Sequence, residues 1–577
     1  MLGRTFPSPE ALRRFPFSIA DVVVILASLI LIAAIAHVGA GANVPFVPPD
    51  TGIEINLDPR ELPYYAARST LRMFIALFFS FIFTLIYGYI AANSPRAERI
   101  MIPLLDILQS VPVLGFLSIT VTAFIALFPG SLWGLEAASI FAIFTSQVWN
   151  MTFSFYQSLR TVPRELQEAV TLYQLSRWSR FINLEVPASA IGLLWNAMMS
   201  FGGGWFFVAE SEAISVLNQE YILPGVGSYV AKAIEAQDLR ALGSALLTMI
   251  VVIVAVDQLF WRPLIAWADK FRMEMTVSAE SPKSWLLDIF KAARIPRYVA
   301  QLFTPVADVV NGLISKLLPA AVPMETDPLT EKMIDRVYNF MLFLCCGGLM
   351  VLGLNFILRD AGIGEVAKVF GLGMITLVRV TVMVILSTLI WTPVGVAIGF
   401  NPSLARLLQP VVQFLAAFPA NFVFPFATVL FINMGISIEI GSLLLMSLGA
   451  QWYILFNAIA GAASIPNDLR EMAANVGLRG WLLWQKLIIP GIASALVTGG
   501  IAASGGAWNA SIVAEIVTWG REKLVATGLG AYIAEATNQG DWAKITLGIG
   551  MMSIFVVVLN RLFWRKLYAI AETKYSL

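Results

Sequence analysis

Glu471-Met472-Ala473-Ala474-Asn475-Val476-Gly477, then nine residues, then Leu487-Ile488-Ile489-Pro490, has a partner 303 positions earlier: Glu168-Ala169-Val170-Thr171-Leu172-Tyr173-Gln174, then nine residues, then Leu184-Glu185-Val186-Pro187. Each copy is a polar loop of about thirty residues set between long uncharged stretches. The same offset pairs Trp149 with Trp452, Pro163 with Pro466, Trp205 with Trp508 and Glu212 with Glu515. It also pairs Gly225, Gly227 and Tyr229 with Gly528, Gly530 and Tyr532, and Leu259-Phe260-Trp261-Arg262 with Leu562-Phe563-Trp564-Arg565. Nearer the start of each half the offset is 307: Arg72 pairs with Arg379, Ser94-Pro95 with Asn401-Pro402, Pro103 with Pro410, and Pro112 with Pro419. One offset held over so many residue types marks an internal duplication.

A bilayer-crossing helix needs about 20 apolar residues. Twelve stretches without Asp, Glu, Lys or Arg supply them, six per half: 22–49, 73–95, 107–135, 137–159, 186–209 and 241–256, then 337–358, 380–405, 407–438, 440–467, 487–514 and 545–560. The sixth of each series is short and is expected to continue through its Leu-Phe-Trp. The composition agrees: 58% of the 577 residues are hydrophobic and 13% charged, against roughly 25% charged in soluble domains. Basic residues set the orientation. Arg4, Arg13 and Arg14 precede the first stretch, Arg160, Arg164, Arg177 and Arg180 flank the first polar loop, and Arg561, Arg565, Lys566 and Lys574 close the chain. The segments assigned outside carry Asp50, Glu54, Asp58, Glu61, Glu210, Glu212 and Glu220. Both termini are therefore expected in the cytoplasm. The first stretch is too long for a signal-peptide core and has a counterpart at 337–358, so it reads as a retained span.

The expected fold is an all-α polytopic membrane protein of about twelve spans. Six spans per half, each half starting inside, make the repeats parallel, related by an axis along the membrane normal. A site on that axis is lined by both halves. The expected divisions are 1–65 for the first span and its outer loop, 66–269 for the first repeat, 270–335 for a cytoplasmic linker, and 336–577 for a span plus the second repeat. The linker interleaves Lys283, Lys291, Arg294 and Arg297 with Trp285, Leu286, Leu287, Ile289 and Phe290. That pattern fits a basic amphipathic helix lying on the membrane, and equally a passive tether.

Several chemistries are disfavoured. The only cysteines, Cys345 and Cys346, are adjacent in an apolar run, and His37 is the only histidine. Neither a zinc site nor a catalytic base is in prospect. A net charge of +1 gives no reason to expect nucleic acid. No Gly-x-x-x-x-Gly-Lys-Ser/Thr phosphate loop occurs, so this chain is expected to bind no ATP and to draw energy from a partner.

The paired loops resemble the EAA signature of ABC-importer permeases: Glu-Ala-Ala, three residues, Gly, nine residues, an aliphatic residue and a closing Pro. In that family the loop forms a coupling helix that docks into a cytoplasmic ATPase. The resemblance therefore assigns ATPase coupling to Glu168, Ala169, Val170, Gln174, Pro187, Glu471, Met472, Ala473, Gly477 and Pro490. It implies two ATPase subunits, which use ATP and Mg, and allows a periplasmic substrate-binding protein. The small residues are expected to let a partner's groove approach. Gly477 is expected to end its helix at positive φ, and Pro490 to open the next span. Gln174 stands where the signature has Gly, and Met472 and Val170 replace an Ala, so the first helix is expected to end differently and to dock unequally. The stretches Gly505-Gly506-Ala507-Trp508-Asn509 to Glu515 and Gly528-Leu529-Gly530-Ala531-Tyr532 resemble the nitrate, sulfonate, taurine and bicarbonate branch.

Candidate pathway residues follow from the duplicated spans: Arg72, Pro112, Gly203, Trp205, Arg379, Pro419, Gly506, Trp508 and Asn509. The glycines suit close helix packing or pore hinges, the tryptophans gates or interfacial anchors, and the prolines breaks in the third span of each half. Arg72 and Arg379 either flank one small anion or pair with Glu212 and Glu515. Two rival classes carry contrary signals. A secondary transporter with two parallel six-helix halves puts its signature between spans two and three, where this chain has only Pro95-Arg96-Ala97-Glu98-Arg99. A membrane-embedded enzyme needs a nucleophile, base or ligands facing one another.

Overall fold

A computed structural model describes residues 20–26, 28–29, 54–110, 113–216, 219–271, 284–293, 295–319, 328–360 and 362–575. His37, Pro112, Arg4, Arg13, Arg14, Lys283, Arg294 and most of the first expected span lie outside them.

The first half runs α1 (Leu62–Asn93), α2 (Pro95–Ser110), α3 (Leu117–Leu127), α4 (Trp133–Arg160), α5 (Arg164–Leu172), α6 (Arg177–Arg180), α7 (Val186–Glu212), a hairpin of β1 (Ala213–Val216) and β2 (Gln219–Ile222), α8 (Val226–Glu235), α9 (Leu239–Val256) and α10 (Arg262–Ala268). Two helices follow in the linker, α11 (Trp285–Ala292) and α12 (Ile295–Leu317). After α13 (Pro328–Asp360) the second half repeats the order: α14 (Gly362–Gly399), α15 (Pro402–Ala417), α16 (Phe424–Met434), α17 (Ile438–Ser464), α18 (Asn467–Asn475), α19 (Gly480–Leu483), α20 (Ile489–Ala514), β3 (Ile516–Trp519), β4 (Glu522–Val525), α21 (Leu529–Gln539), α22 (Trp542–Leu559) and α23 (Arg565–Tyr575).

Among the described residues, 8 helical runs are long and apolar enough to cross a membrane. The other four expected spans have separate explanations. The first lies largely outside the described residues. The third and ninth are each two short helices, α2 with α3 and α15 with α16. Pro419 caps a tight 3-10 turn, Ala420–Phe422, between the latter pair, because proline removes a helix donor and crowds the preceding turn. The fourth, α4, is long enough but polar, and its hydroxyls are satisfied inside the bundle: Ser139 pairs with Ser211 at 2.7 Å and Thr152 with Thr84 at 3.1 Å.

Two short antiparallel hairpins are added to the all-α fold. They pair Ala213 with Ile222 and Ile516 with Val525. Each follows the glutamate that ends the fifth span, where a hairpin satisfies the backbone groups that the helix end leaves open.

Four π turns also fall in repeat-related pairs: Phe181–Glu185 with Trp484–Ile488, and Asp257–Trp261 with Asn560–Trp564. The first pair lies just ahead of Pro187 and Pro490, which stand in the first turns of α7 and α20 as expected. Each sits just past a π turn in a continuous helical run, Arg177–Glu212 or Gly480–Ala514. The wider turn displaces the carbonyl that a proline ring would strike.

The chain divides into two compact units. The larger comprises Ala42–Tyr156, Asn196–Val254 and Thr326–Leu577. Val113, Leu117, Val121 and Leu135 of the first half share one buried cluster there with Ala450, Ile454, Ala503, Trp508 and Ile533 of the second. Neither half completes that core alone. The hairpins add a further tie: the Gly520 N–H donates to the Ile234 carbonyl at 3.1 Å. The smaller unit, Met1–Gly41, Gln157–Trp195 and Ala255–Glu325, holds the first polar loop and the linker helices.

Candidate functional site

The two polar loops fold into α5 and α18, and both are capped in the same way. Pro163 and Pro466 stand at their N-caps in extended conformation. At the far end, Tyr173 N–H reaches Ala169, Gln174 N–H reaches Thr171 and Leu175 N–H reaches Val170; Val476, Gly477 and Leu478 repeat the three bonds onto Met472, Ala474 and Ala473. Gly477 has φ 75, as expected, and Gln174 adopts φ 49. The first helix therefore does not end differently. The glutamine is held left-handed by the same three bonds, at a strain cost of about 1–2 kcal/mol for a residue with a Cβ.

Glu168 and Glu471 are exposed on these helices. Beside them Leu172, Tyr173, Met472 and Val476 present apolar side chains to the outside. Ala473 points the other way, into a buried cluster with Val396, Ala462, Ile465, Leu487 and Ile488. Its small size fits α18 against its own span ends rather than against a visiting groove. Ala169 and Val170, in the equivalent positions of α5, are half-buried. Arg470 anchors α18 further, with its guanidinium donating to the Ala462 carbonyl and lying 4.3 Å from the Phe400 ring. Burial pushes the Arg470 guanidinium below its ordinary range.

At the opposite ends of the spans the two candidate arginines take the pairing alternative. Arg72 grips Glu136 with Nε at 2.6 Å and Nη2 at 2.8 Å, and Glu212 with Nη1 at 2.6 Å. The same Nη1 donates to the Pro224 carbonyl at 3.0 Å. Arg68 donates to Glu136 as well. In the second half Arg379 Nη1 reaches Glu515 at 2.9 Å and Nη2 reaches Glu439. Ser69 and Thr376 repeat each other, donating to Glu212 at 2.6 Å and Glu515 at 2.9 Å while accepting from the N–H groups of Val226 and Leu529. Each glutamate thus sits on a helix N-terminus, where backbone N–H groups favour an anion. Gly225 and Gly528 make the approach possible: a Cβ on either would stand 2.1 Å from the carboxylate. Four of the five N–H groups of Arg72 are committed to these partners. Arg72 and Arg379 therefore tie together the span ends far from α5 and α18, and the reading of them as flanks of one anion finds no support in this geometry.

The helix breaks and the fifth spans meet across the two halves. Asn509 Oδ1 on α20 accepts from the Val113 N–H at 3.1 Å, immediately after Pro112. Asn421, two residues past Pro419, donates to the Phe206 carbonyl at 3.2 Å and to Glu210 at 2.8 Å on α7. Phe206 is the repeat equivalent of Asn509, so each break is held by the other half. Gly203 and Gly506 approach one residue from both halves: their added Cβ atoms would lie 3.9 Å from Tyr453 Oη and 3.6 Å from Tyr453 Cε2. Trp205 and Trp508 are turned into the core. Both are buried, Trp205 edge-on to Phe201 and Trp508 stacked with Phe555.

Sequence reading passed over Glu136, Glu439, Arg68, Asn421 and Tyr453, and took Glu210 only as an acid of an outer loop. The first two stand 303 positions apart, and that pairing was the signal available for them. Tyr453 has no such signal, because its counterpart is Asn150. Among the described residues, no group of three His, Cys, Asp or Glu is placed to hold a metal.

The family model of the binding-protein-dependent transport system inner membrane component matches the chain twice, over residues 84–260 and 390–565. Among curated proteins, the chain is similar to a nitrate import permease protein of Leptolyngbya laminosa, 25% identical over 187 residues that cover 32% of this chain and 63% of that protein. It is 27% identical over 186 residues to a bicarbonate transport system permease protein of Synechococcus elongatus, and 25% identical over 186 residues to a taurine transport system permease protein of Escherichia coli; each match covers 32% of this chain and 64% of the relative. The chain thus spans just under two thirds of the length of these relatives. The family matches fall on the two halves that repeat each other and together span more than half of the chain, so this protein belongs to the binding-protein-dependent transport system inner membrane component family, as a duplicated permease.

Proposed function

We propose that this chain is the complete pair of permease halves of an ATP-driven importer, with one cytoplasmic ATPase subunit docking on α5 and a second on α18. The observation that carries this reading is the matched pair of capped helices, each offering an exposed glutamate beside exposed apolar side chains. A partner surface that buries Leu172, Tyr173, Met472 and Val476 gains the usual free energy of apolar burial, about 25 cal/mol per Å². ATP and Mg belong to those subunits in this reading. The chain supplies the path, and Gly203, Gly506 and Tyr453 line it where the halves meet. The relatives' names favour a small anion or sulfonate as cargo: nitrate, bicarbonate or taurine. A periplasmic binding protein delivers it to the outer ends of α7 and α20, and both termini lie in the cytoplasm.

The experiment is reconstitution into liposomes of the purified chain, alone and with its ATPase. Alone, the chain should hydrolyse no ATP. With the ATPase it should accumulate one of labelled nitrate, bicarbonate or taurine, and only when ATP is present on the side of α5 and α18. Hydrolysis by the isolated chain, or uptake indifferent to ATP, sinks the reading.

A further inference from the structure

Linker helix α12 is the longest helix lying wholly within the smaller unit among the described residues. Seven large apolar residues on it are exposed: Leu302, Phe303, Val306, Val309, Val310, Leu313 and Leu317. At 100° per residue they fall in one stripe about 120° wide, the width of an interior-facing helix surface. Nothing within the described chain covers that stripe. The opposite side of the helix is where the contacts are. Asn311 accepts from the Trp178 indole at 3.0 Å, Ser315 pairs with Ser179 at 3.3 Å, and the Leu318 carbonyl accepts from the Arg177 N–H at 3.1 Å. At its start, the Ile295 N–H donates to Asp21 at 2.7 Å.

These two attachments fix where α12 lies. Arg177 to Ser179 is the first turn of the continuous span Arg177–Glu212. Asp21 directly precedes the expected first span, 22–49, and residues 20–26 are helical. With 22–49 as the expected first crossing, both anchors stand at the end of a membrane-crossing segment, next to its basic flank, at the level of the lipid headgroups. They grip α12 near its two ends, about 30 Å apart at 1.5 Å per residue. A rod held at headgroup level at both ends lies along the membrane plane. Its polar side meets the protein at those two attachments, with Asp308 between them exposed, and its apolar stripe faces away.

We propose that α12 is an in-plane membrane helix whose occupant is the bilayer itself, with the apolar stripe sunk into the boundary between headgroups and acyl chains. Such helices bury their apolar face about 5–10 Å into that boundary. Asp308 and Lys316 fall outside the stripe, as that placement requires. The consequence for coupling is one-sided. Trp178 is clasped by the membrane-bound helix through Asn311, whereas its repeat equivalent Trp481 is 73% exposed. The first coupling loop is thereby tied to the lipid surface and the second is not.

The test places nitroxide labels on the full-length chain in lipid nanodiscs, after Cys345→Ser and Cys346→Ser remove the native thiols. Val306→Cys and Leu313→Cys put labels on the stripe, and Asp308→Cys puts one off it. The stripe labels should be relaxed by dissolved oxygen and lose their relaxation by a water-soluble nickel chelate, while the Asp308 label should show the reverse. Relaxation of the stripe labels by the chelate would place the helix in water and overturn the proposal. Protection from both reagents would mean that protein covers the stripe, and would overturn it equally. Val309→Cys and Leu317→Cys sample the same stripe and decide the matter if either first variant fails to fold.

Discussion

Around Arg72 two arginines meet two glutamates, whereas around Arg379 one arginine meets two. Arg68 makes the difference, because its repeat equivalent is Ile375. The first cluster is electrically balanced and shut away, with Glu136 only 6% exposed in its side chain; the second carries a surplus negative charge, and Glu439 keeps 46% of its side chain exposed. The surplus carboxylate is tolerated where water or headgroups reach it, because an unpaired charge costs several kcal/mol only when buried. The two copies share a geometry of Arg between two Glu, and each balances its charge by a different means.

The largest expected effect tests that balance. Arg72→Leu leaves Glu136 and Glu212 facing each other with Arg68 alone, and should cost about 3–5 kcal/mol, the usual penalty for breaking a buried pair. Arg379→Leu should cost less, since Glu439 can hydrate. Thermal unfolding of the purified variants in one detergent reads both. Equal shifts would dissolve the contrast between the copies. Arg68→Leu sharpens the same comparison, because it gives the first cluster the charge of the second without its exposure; it should lower the unfolding midpoint, whereas Ile375→Arg should leave it nearly unchanged.

Next come α5 and α18, the proposed docking helices. Glu471→Lys and Glu168→Lys each place a reversed charge on the proposed docking face, where a mismatch costs several kcal/mol. Because α5 and α18 share one cap geometry, the two variants should lose ATP-dependent uptake to a similar degree while the membrane-inserted yield stays normal. A large loss at Glu471 alone would show that the loops dock unequally despite their shared shape. The smallest effects concern the caps. Gly477→Ala forces a Cβ into φ 75 and should destabilise by about 1 kcal/mol, and Gln174→Gly should stabilise by about 0.4–1 kcal/mol. Hydrogen exchange of the α5 and α18 amides measures each locally.

The legible parts of this molecule are those written in local chemistry. Pro419 announced a broken span and Gly477 a left-handed helix end, since each residue restricts or frees its own backbone. The repeat offset announced two copies of every element. The misread parts depended on orientation. Trp205 and Trp508 have the composition of interfacial anchors, yet their helices turn those side chains into the core. Gln174 looked like a lost cap because the sequence lists a residue's preference and not the hydrogen bonds that override it. The hairpins after Glu212 and Glu515 are four-residue strands, too short for alternation to register.

The amino-acid sequence by itself determined the membrane class, the duplication, the places of the paired loop helices α5 and α18 and the want of a phosphate loop, because each follows from residue type and spacing along one chain. Only the tertiary structure decided that Arg72 and Arg379 are spent on carboxylates, that each helix break is held by an asparagine or carbonyl of the other half, and that Gly203 and Gly506 close on one tyrosine. Those are contacts between residues tens to hundreds of positions apart. They arise when two similar halves bury their apolar faces against each other, and which polar groups then meet depends on how those faces rotate and slide into register.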